Sequence, residues 1–297
     1  MWRIVDIGGY GYSLRVTDNK LVVAKENGST SIPFRDISSI IIHCDCQISG
    51  KVFQQCIDNS IPIMFCDEKH VPSGLFSSFN QNEDSARRFE IQLNASKPRR
   101  KKAWAQLIKE KLKNQALVLE KTGQTQGAKE LLFLSEEVLS GDSSNREAIG
   151  AKLYFSSLFG DGFSRGNPDI EINDFLNYGY TILRSLVART VSGFGLYPGF
   201  GVFHSNRKNP YALIDDLMEP LRPLADREVL RIIACGTSTL CPASKRELMS
   251  MINVRTLFNG KYYSLSESVQ HMIMSYIQFL DGSHNEILFP DILGSPQ

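Results

Sequence analysis

Residues 1–80 alternate short runs of branched and aromatic residues with turn signals such as Asp18-Asn19. This alternation predicts β-strands. One stretch with helical spacing interrupts it at about Ser49–Asn59. The predicted strands are Ile4–Ile7, Tyr12–Val16, Leu21–Ala24, Ile37–Ile42 and Ile61–Phe65. We therefore predict a small β-sandwich-like domain with one helix laid against it.

Beyond residue 86 the apolar positions recur at helical spacing. Residues 81–86, where the composition changes, are typical of a linker. The predicted helices are Ser85–Leu93, Lys101–Leu119, Ser144 to about Leu158, one ending near Gly193, Tyr211–Pro220, Leu224–Cys235 and Val269–Leu280. Capping boxes are predicted at Ser144–Glu147, Ser244–Glu247 and Ser264–Glu267. The fold class is thus α+β, with a β-rich domain over 1–80, a linker over 81–86 and a larger all-α domain over 87–297.

The amino-acid composition indicates the class of protein but does not identify a binding partner. The 297 residues are 42% hydrophobic and 22% charged, the balance of a soluble globular protein. Lys and Arg number 33 and Asp and Glu 32, so a DNA site would have to come from local clustering of positive charge. No apolar run approaches the roughly 20 residues of a membrane helix, and the N-terminus lacks the features of a signal peptide. We expect a cytoplasmic protein without membrane association.

The six cysteines lack the paired spacing of a zinc site. The segment His43-Cys44-Asp45-Cys46 still allows two interpretations. It could bind a metal, or it could be a strand end that carries reduced thiols.

The densest group of acids follows a loop rich in glycine and aromatic residues that ends at Phe203-His204. Asp215, Asp216 and Glu219 lie on a predicted helix at spacings that share a face, where like charges repel by a few tenths of a kcal/mol. A bound cation or solvation near the helix N-terminus would offset this repulsion, and both interpretations stay open. Carboxylates suit Mg²⁺ and Mn²⁺, and Mn²⁺ also accepts imidazole.

Two further features are ambiguous in the same way. Glu147 could complete a helix cap, or it could point from the first turn into a shared site. A basic cluster could follow DNA phosphates or form a solvated helix face. Its candidate DNA-binding residues are Arg87, Arg88, Arg99, Arg100, Lys101, Lys102 and Lys109. Lys109 shares a helix face with the residue four positions on, whereas Lys111 points elsewhere.

A set of short segments carries a further signal through its order along the chain. The segments are Met1-Trp2-Arg3, Ile32–Ile37, Ile61–Asp67, Glu147–Phe155, Leu176-Asn177-Tyr178-Gly179-Tyr180, Phe203-His204 and Asp216–Pro223. Together they resemble the family of CRISPR adaptation endonucleases, the integrases of spacer acquisition, and in particular its short type II branch. The resemblance covers essentially the whole chain.

The resemblance implies that Glu147, His204 and Glu219 hold Mg²⁺ or Mn²⁺ and are catalytic. It adds Asp216 as a supporting catalytic residue, while Asp215 is an extra acid, and which of the two aspartates faces the metal stays open. Arg222, in the last segment, joins the candidate DNA-binding residues. The implied reaction is attack by the 3′-hydroxyl of a short foreign DNA fragment on a repeat phosphodiester, which inserts the fragment into a CRISPR array.

The resemblance also implies partners. These are DNA (the protospacer duplex and the CRISPR repeat), a second copy of the chain joined through the β-domain, and a small second adaptation protein that bridges two dimers. The type II setting adds an accessory DNA-end protein and the large effector nuclease. Two alternatives are kept: a DNA-binding scaffold of the adaptation complex without catalysis, and an interaction protein that dimerises through its β-domain.

Overall fold

The computed structural model describes residues 3–26, 28–67, 72–78, 84–167, 169–203 and 209–292. Its first part is rich in strands, with one helix, as predicted. The elements are β1 (Arg3–Ile7), β2 (Tyr12–Thr17), β3 (Lys20–Lys25), β4 (Gly28–Pro33), β5 (Ile37–Ile42), β6 (Cys46–Ile48), α1 (Gly50–Asp58), β7 (Ile63–Cys66) and β8 (Pro72–Phe76).

The second part is predominantly helical, also as predicted. Its helices are α2 (Ser85–Asn94), α3 (Lys97–Lys121), α4 (Thr125–Glu136), α5 (Arg146–Phe159), α6 (Ile172–Gly193), α7 (Ala212–Met218), α8 (Arg222–Ala234), α9 (Pro242–Ser250) and α10 (Leu265–Asp281). The expectation that it would be wholly helical is wrong in one place. Strands β9 (Arg255–Phe258) and β10 (Lys261–Ser264) form an antiparallel hairpin.

The strands of the first part form two four-stranded sheets. One sheet has the order β1-β5-β7-β8, with β1, β5 and β7 parallel and β8 antiparallel to β7. The other has the order β4-β3-β2-β6, with β6 parallel to β2. Side chains from both sheets and from α1 bury one apolar cluster. Shared burial of this kind is what holds the two sheets together.

Strand β5 is buried along its whole length. Ile40 and Ile42 belong to the cluster between the sheets. Ile41, whose side chain points to the opposite face, belongs to the core of the helical part. An apolar run without alternation is the pattern of a strand that is covered on both faces.

Helix α6 covers the second face of β5 and is tied to it by polar contacts. The hydroxyl oxygens of Ser39 and Ser185 lie 3.2 Å apart. The guanidinium of Arg189 donates to the carbonyl oxygens of Ile37 and Ser38 at 2.8 and 2.6 Å. The β-rich part is therefore joined to the helix that runs through the centre of the helical part.

The change from strand to helix falls between β8 and α2, and α2 begins at Ser85, inside the segment predicted as a linker. Residues 81–83 of that segment lie outside the described residues. The division into two domains stays a prediction. None of the described helices combines the length and the apolar character needed to cross a membrane.

A close contact at Gly150 sets how near α5 approaches α3. A Cβ atom added at Gly150 would stand 2.2 Å from Cδ2 of the fully buried Leu112 and 3.4 Å from Cδ2 of Leu131. Gly150 lies one turn after Glu147, so the same contact brings that glutamate close to α3.

We predict that Gly150→Ala lowers the free energy of unfolding by about 1–3 kcal/mol, because overpacking the interface outweighs alanine's better helix propensity. Urea unfolding of the purified chain measures this change. Gly50→Ala is the matched control, since Gly50 is also helical and a Cβ there meets nothing within 4 Å. Equal stability of Gly150→Ala and the wild type would contradict the packing argument.

Candidate active site

Glu147 is placed by an aspartate that caps the start of α5. The Asp142 carboxylate accepts hydrogen bonds from the backbone N–H groups of Arg146 at 2.8 Å and Glu147 at 3.0 Å. The capping box predicted at Ser144 is wrong, because Asn145 precedes the helix in the left-handed region (φ 53°) and its side chain makes no cap hydrogen bond. The Glu147 side chain therefore does not cap the helix, and it points towards α3.

Lys111 of α3 meets that carboxylate. Its Nζ lies 2.8 Å from Oε1 of Glu147 and 2.6 Å from Oε2 of Glu219. The lysine side chain is only 9% exposed, and the Glu147 side chain is 26% exposed. Two carboxylates from distant parts of the chain therefore converge on one buried ammonium, and the Glu147 side opens towards solvent.

Glu219 sits in a short 3-10 turn, Glu219–Leu221, between α7 and α8. Oε1 of Glu219 lies 2.9 Å from Nε of Arg222 in an ion pair. The amide of Asn114 donates to the carbonyl oxygen of Pro220 at 2.9 Å, which fastens the turn to α3. Asn114 and Lys111 are three residues apart on α3, so one face of that helix holds both the turn and its carboxylate.

The charge of Lys111 is maintained by its surroundings. Burial alone would lower the pKa of this ammonium, but the carboxylates of Glu219 and Glu147 more than offset the effect and raise the pKa above its usual value. The two acids therefore favour the charged form of the lysine that lies between them.

The two neighbouring aspartates have different partners. Asp215 accepts from Nε of Arg184 at 2.7 Å and from the amide of Asn209 at 2.8 Å. Asp216 is fully buried, and its Oδ2 accepts the backbone N–H of Phe203 at 2.9 Å. Asp216 therefore positions the chain immediately before His204.

His204 itself lies outside the described residues. The residue before it is fixed on two sides, since the Phe203 ring also stacks on Trp104 of α3 with a centroid separation of 5.2 Å and an interplanar angle of 8°. The described part of the chain thus contains two of the three predicted metal ligands.

The chemistry of these residues fits a hard divalent cation. Two carboxylates already gather around a single positive charge, and carboxylate oxygens are the ligands that Mg²⁺ and Mn²⁺ prefer. Within the described ranges no three His, Cys, Asp or Glu side chains form a metal-binding group. The third ligand would have to come from the segment that contains His204.

The His43–Cys46 segment makes structural contacts. Nε2 of His43 lies 2.8 Å from Oδ1 of Asp6, and Sγ of Cys44 donates to the carbonyl oxygen of Ile7. Burial raises the pKa of the thiols of Cys44 and Cys46. These contacts fit the interpretation as a strand end with reduced thiols.

The predicted DNA-binding residues divide into two groups. Arg88 donates to the Phe194 carbonyl oxygen at 2.8 Å, and Arg99 donates to the carbonyl oxygens of Phe279 and His284. These two arginines therefore also hold helix ends together. Exposed basic side chains are found at Arg87, Arg100, Lys101 and Lys102, while Lys109 and Arg222 are half-buried. DNA binding by all of them stays a prediction.

Lys111 belongs to the site but was not predicted as a site residue from the sequence. The helical spacing does predict that the Lys111 side chain points away from the face that carries Lys109. The available signal was the sequence Lys111-Leu112-Lys113-Asn114-Gln115, in which Lys111, Asn114 and Gln115 lie at helical spacing from apolar residues of α3. All of these except Lys113 are buried.

A buried acid supports the helices behind the site. The carboxylate of Asp226 on α8 accepts hydrogen bonds from the hydroxyls of Tyr154 at 3.0 Å and Tyr180 at 2.5 Å. The Tyr180 ring in turn lies 4.7 Å from the guanidinium of Arg222. Asp226 therefore connects α5, α6 and α8 and holds the ring against which Arg222 packs.

Comparison with known proteins shows a consistent set of similarities. The family model for CRISPR associated protein Cas1 matches residues 6–240. A CRISPR-associated endonuclease Cas1 of Neisseria meningitidis is 33% identical over 98% of this chain and 97% of its own length. One from Francisella tularensis subsp. novicida is 26% identical over 94% of this chain and 96% of its own length.

Solved structures show the same fold. A casposase bound to integration product superimposes with a TM-score of 0.81 at 17% identity, covering 99% of this chain and 94% of the casposase. A Cas1 protein from Thermotoga maritima gives 0.79 at 18% identity, over 99% of this chain and all of the other. A chain of a Cas6-RT-Cas1–Cas2 complex gives 0.78 at 18% identity, over 96% of this chain and 35% of that longer chain.

The buried carboxyl of Asp226 predicts a pH dependence of stability. Burial raises its pKa to about 6, above the value in an unfolded chain. The folded protein therefore takes up the proton first, so this group adds stability as the pH falls through about 6 and loses it as the pH rises. Between pH 7 and pH 5 we expect the wild type to gain about 1 kcal/mol relative to Asp226→Asn.

Urea unfolding of both proteins at the two pH values measures this difference. The asparagine has nearly the same size, so the cost of weakened tyrosine hydrogen bonds is common to both pH values. A constant stability difference between the two proteins from pH 5 to pH 7 would show that Asp226 does not titrate in this range.

Proposed function

Because the chain belongs to the Cas1 family of CRISPR-associated proteins, we propose that it is a divalent-metal-dependent DNA endonuclease and integrase that inserts short foreign DNA fragments into a CRISPR array. The observation that carries the proposal is the convergence of Glu147 and Glu219 on one buried ammonium. The names of the relatives support the reaction class, since they are endonucleases and a casposase bound to integration product.

In the proposed site Glu147, Glu219 and His204 hold Mg²⁺ or Mn²⁺. The metal, when bound, supplies Lewis acidity that polarises the phosphoryl oxygen and orients the attacking hydroxyl. Asp216 positions the segment that carries His204, through its hydrogen bond to the Phe203 backbone. Lys111 and Arg222 hold the two glutamates and contribute positive charge beside a reaction that builds up negative charge.

The proposed reaction is a transesterification. The 3′-hydroxyl oxygen of the fragment forms a bond to phosphorus in a repeat phosphodiester, and the bond to the 3′-oxygen of the attacked strand breaks. The attacking hydroxyl loses a proton and the departing oxygen gains one, so one phosphodiester replaces another. Such a reaction depends on positioning and charge neutralisation, which agrees with a site built from acids and cations without a protein nucleophile.

The proposed partners follow from the family. We expect a homodimer formed through the β-rich part and a complex with Cas2 and DNA, by analogy with a Cas6-RT-Cas1–Cas2 complex and a TtCas1-DNA complex. An accessory DNA-end protein and the large type II effector nuclease are further proposed partners. The alternative, a scaffold that binds DNA without joining it, is separated from the proposal by the assay below.

Lys111→Met tests whether the acid pair binds a metal. Without the ammonium, Glu147 and Glu219 repel each other. We therefore expect the free energy of unfolding in EDTA to fall by about 3 kcal/mol. Mn²⁺ should then raise the melting temperature of Lys111→Met more than that of the wild type, because the metal replaces the missing charge. Differential scanning fluorimetry with EDTA and with Mn²⁺ measures both effects.

Lys113→Met is the control for this experiment, since Lys113 is exposed on the same helix two positions on. It should melt and respond to Mn²⁺ like the wild type. If Mn²⁺ shifts Lys111→Met and the wild type by the same amount, the acid pair does not hold the metal.

An integration assay tests the reaction. Purified protein with Cas2 is incubated with a labelled short duplex and a supercoiled plasmid that bears a CRISPR repeat, in Mg²⁺ or Mn²⁺. We expect joining that EDTA abolishes and that Glu147→Gln, Glu219→Gln and His204→Ala each reduce by about 10²-fold or more, since each removes a ligand of the charge-stabilising cation. The exposed Glu120 of α3 supplies the control Glu120→Gln, which should join normally.

Two outcomes would count against parts of the proposal. Normal joining by Glu219→Gln would remove that residue from the site. DNA binding by the wild type without joining under any metal condition would favour the scaffold.

A further inference from the structure

A small pocket is lined by Met218, the residue before Glu219, and by Arg222, the ion-pair partner of Glu219. It has a volume of about 120 Å³ and is lined by Arg165, Arg184, Arg222, Asn177 and Thr181 together with the Tyr180 ring and two apolar side chains. No carboxylate is among the described residues that line it. We refer to it as the arginine pocket. Its composition is that of a site for an anion.

The three arginines are held in place by side chains around the pocket. Arg165 donates to the amide oxygens of Asn173 at 3.2 Å and Asn177 at 2.7 Å, and its guanidinium lies 5.1 Å from the centroid of the Tyr180 ring. These partners are neutral. Over the described part of the chain no carboxylate forms an ion pair with Arg165, so its charge remains available to a ligand.

The other two arginines retain donors beyond their ion pairs. Arg184 is paired with Asp215 through Nε at 2.7 Å and Nη2 at 2.5 Å, and Arg222 is paired with Glu219 through Nε at 2.9 Å. A guanidinium has five N–H donors in a planar fork, and the contacts described for Arg222 use one of them. Both acids are partners of the arginines and do not line the pocket, so the arginines can present donors to a ligand while they stay anchored.

Arg222 links the pocket to the proposed active site, because its side chain lines the pocket and also forms an ion pair with Glu219. A DNA strand whose phosphodiester reaches Glu147 and Glu219 would therefore bring an adjacent phosphate to the arginine pocket. Planar guanidinium groups match the oxygens of a phosphate and bind them through paired hydrogen bonds.

We propose that the arginine pocket binds a backbone phosphate next to the reacting phosphodiester, and that Arg165 is the main determinant of this contact. This inference rests on the proposed function, because it places the pocket on the strand that undergoes reaction. A phosphate contact of this kind fixes the strand in register with the acids without reading its sequence.

The test separates DNA binding from catalysis. Fluorescence anisotropy in EDTA measures the affinity of the full chain for a synthetic branched duplex that mimics a joined product, in which the position of the reacting phosphodiester is known. In a series of such duplexes a single neutral methylphosphonate replaces each phosphate near that position in turn. We expect one adjacent position to weaken binding to the wild type about tenfold, the loss of one charge-assisted contact.

The variant Arg165→Gln should bind the unmodified duplex about tenfold more weakly and should be insensitive to methylphosphonate at that same position. Arg165→Lys, which keeps the charge without the fork, should fall between the two. Arg231→Gln is the charge-matched control, because Arg231 is an exposed residue of α8 that pairs with Glu228 and Glu247. It should show the wild-type pattern. Thermal melting in the absence of DNA identifies any variant that fails to fold, and the scan on the wild type does not depend on the variants.

Inorganic phosphate is the second probe, used at constant ionic strength. If it stabilises the wild type but not Arg165→Gln, and the methylphosphonate scan is flat, the pocket serves a free phosphate and the proposal is overturned. A flat scan with no phosphate effect overturns it as well.

If the wild type fails to join DNA in the integration assay but the position-specific effect is present, the arginine pocket stands while the proposed catalytic function falls. If the wild type joins DNA normally but the methylphosphonate scan is flat, the proposed catalytic function stands and the arginine pocket falls.

Discussion

The ammonium of Lys111 is the contact on which the arrangement of the site depends. It joins α3 to the first turn of α5 through Glu147 and to the turn between α7 and α8 through Glu219. Two carboxylates that approach the same point would repel each other, and a single cation between them offsets that repulsion. The surrounding structure serves this contact: Gly150 allows the close approach of α5, Asp142 caps that helix, and Asn114 fastens the turn.

The same contact explains how the fold can gather two acids in a largely buried site. The lysine is covalently attached, so its charge is present whenever the chain folds, and its raised pKa keeps it protonated at neutral pH. Around it the charges alternate, from Glu147 through Lys111 and Glu219 to Arg222. Alternating charge of this kind orders the acids and continues into the arginine pocket, so the acids and the anion site form one connected network.

Elements with a strong apolar pattern could be predicted from the sequence, and α6 and α10 agree closely with expectation because each has a broad apolar stripe. The capping box at Ser264 and Glu267 is confirmed. Strand β4 was missed because its residues are polar and it lies at a sheet edge, so it carries no apolar alternation. The capping box at Ser144 was predicted wrongly because the helix is capped from two residues earlier. There the Asp142 carboxylate accepts the backbone N–H groups of Arg146 and Glu147. Glu147 and Glu219 could be named from motif order, but Lys111 could not, since a lysine in a basic helix looks like a solvated residue until packing shows where it points.

Strand β5 has a consequence for the modularity of the chain. Its Ile40 and Ile42 belong to one core while Ile41 belongs to the other, and Arg189 of α6 donates to two of its carbonyl oxygens. Cutting the chain near residue 80 would leave an apolar strand face without its cover and the half-buried Arg189 without its acceptors. Each fragment would then expose a surface suited to aggregation. The segment between β8 and α2 therefore marks a change of secondary structure, and it is a poor site for exchanging one half of the protein for that of a relative.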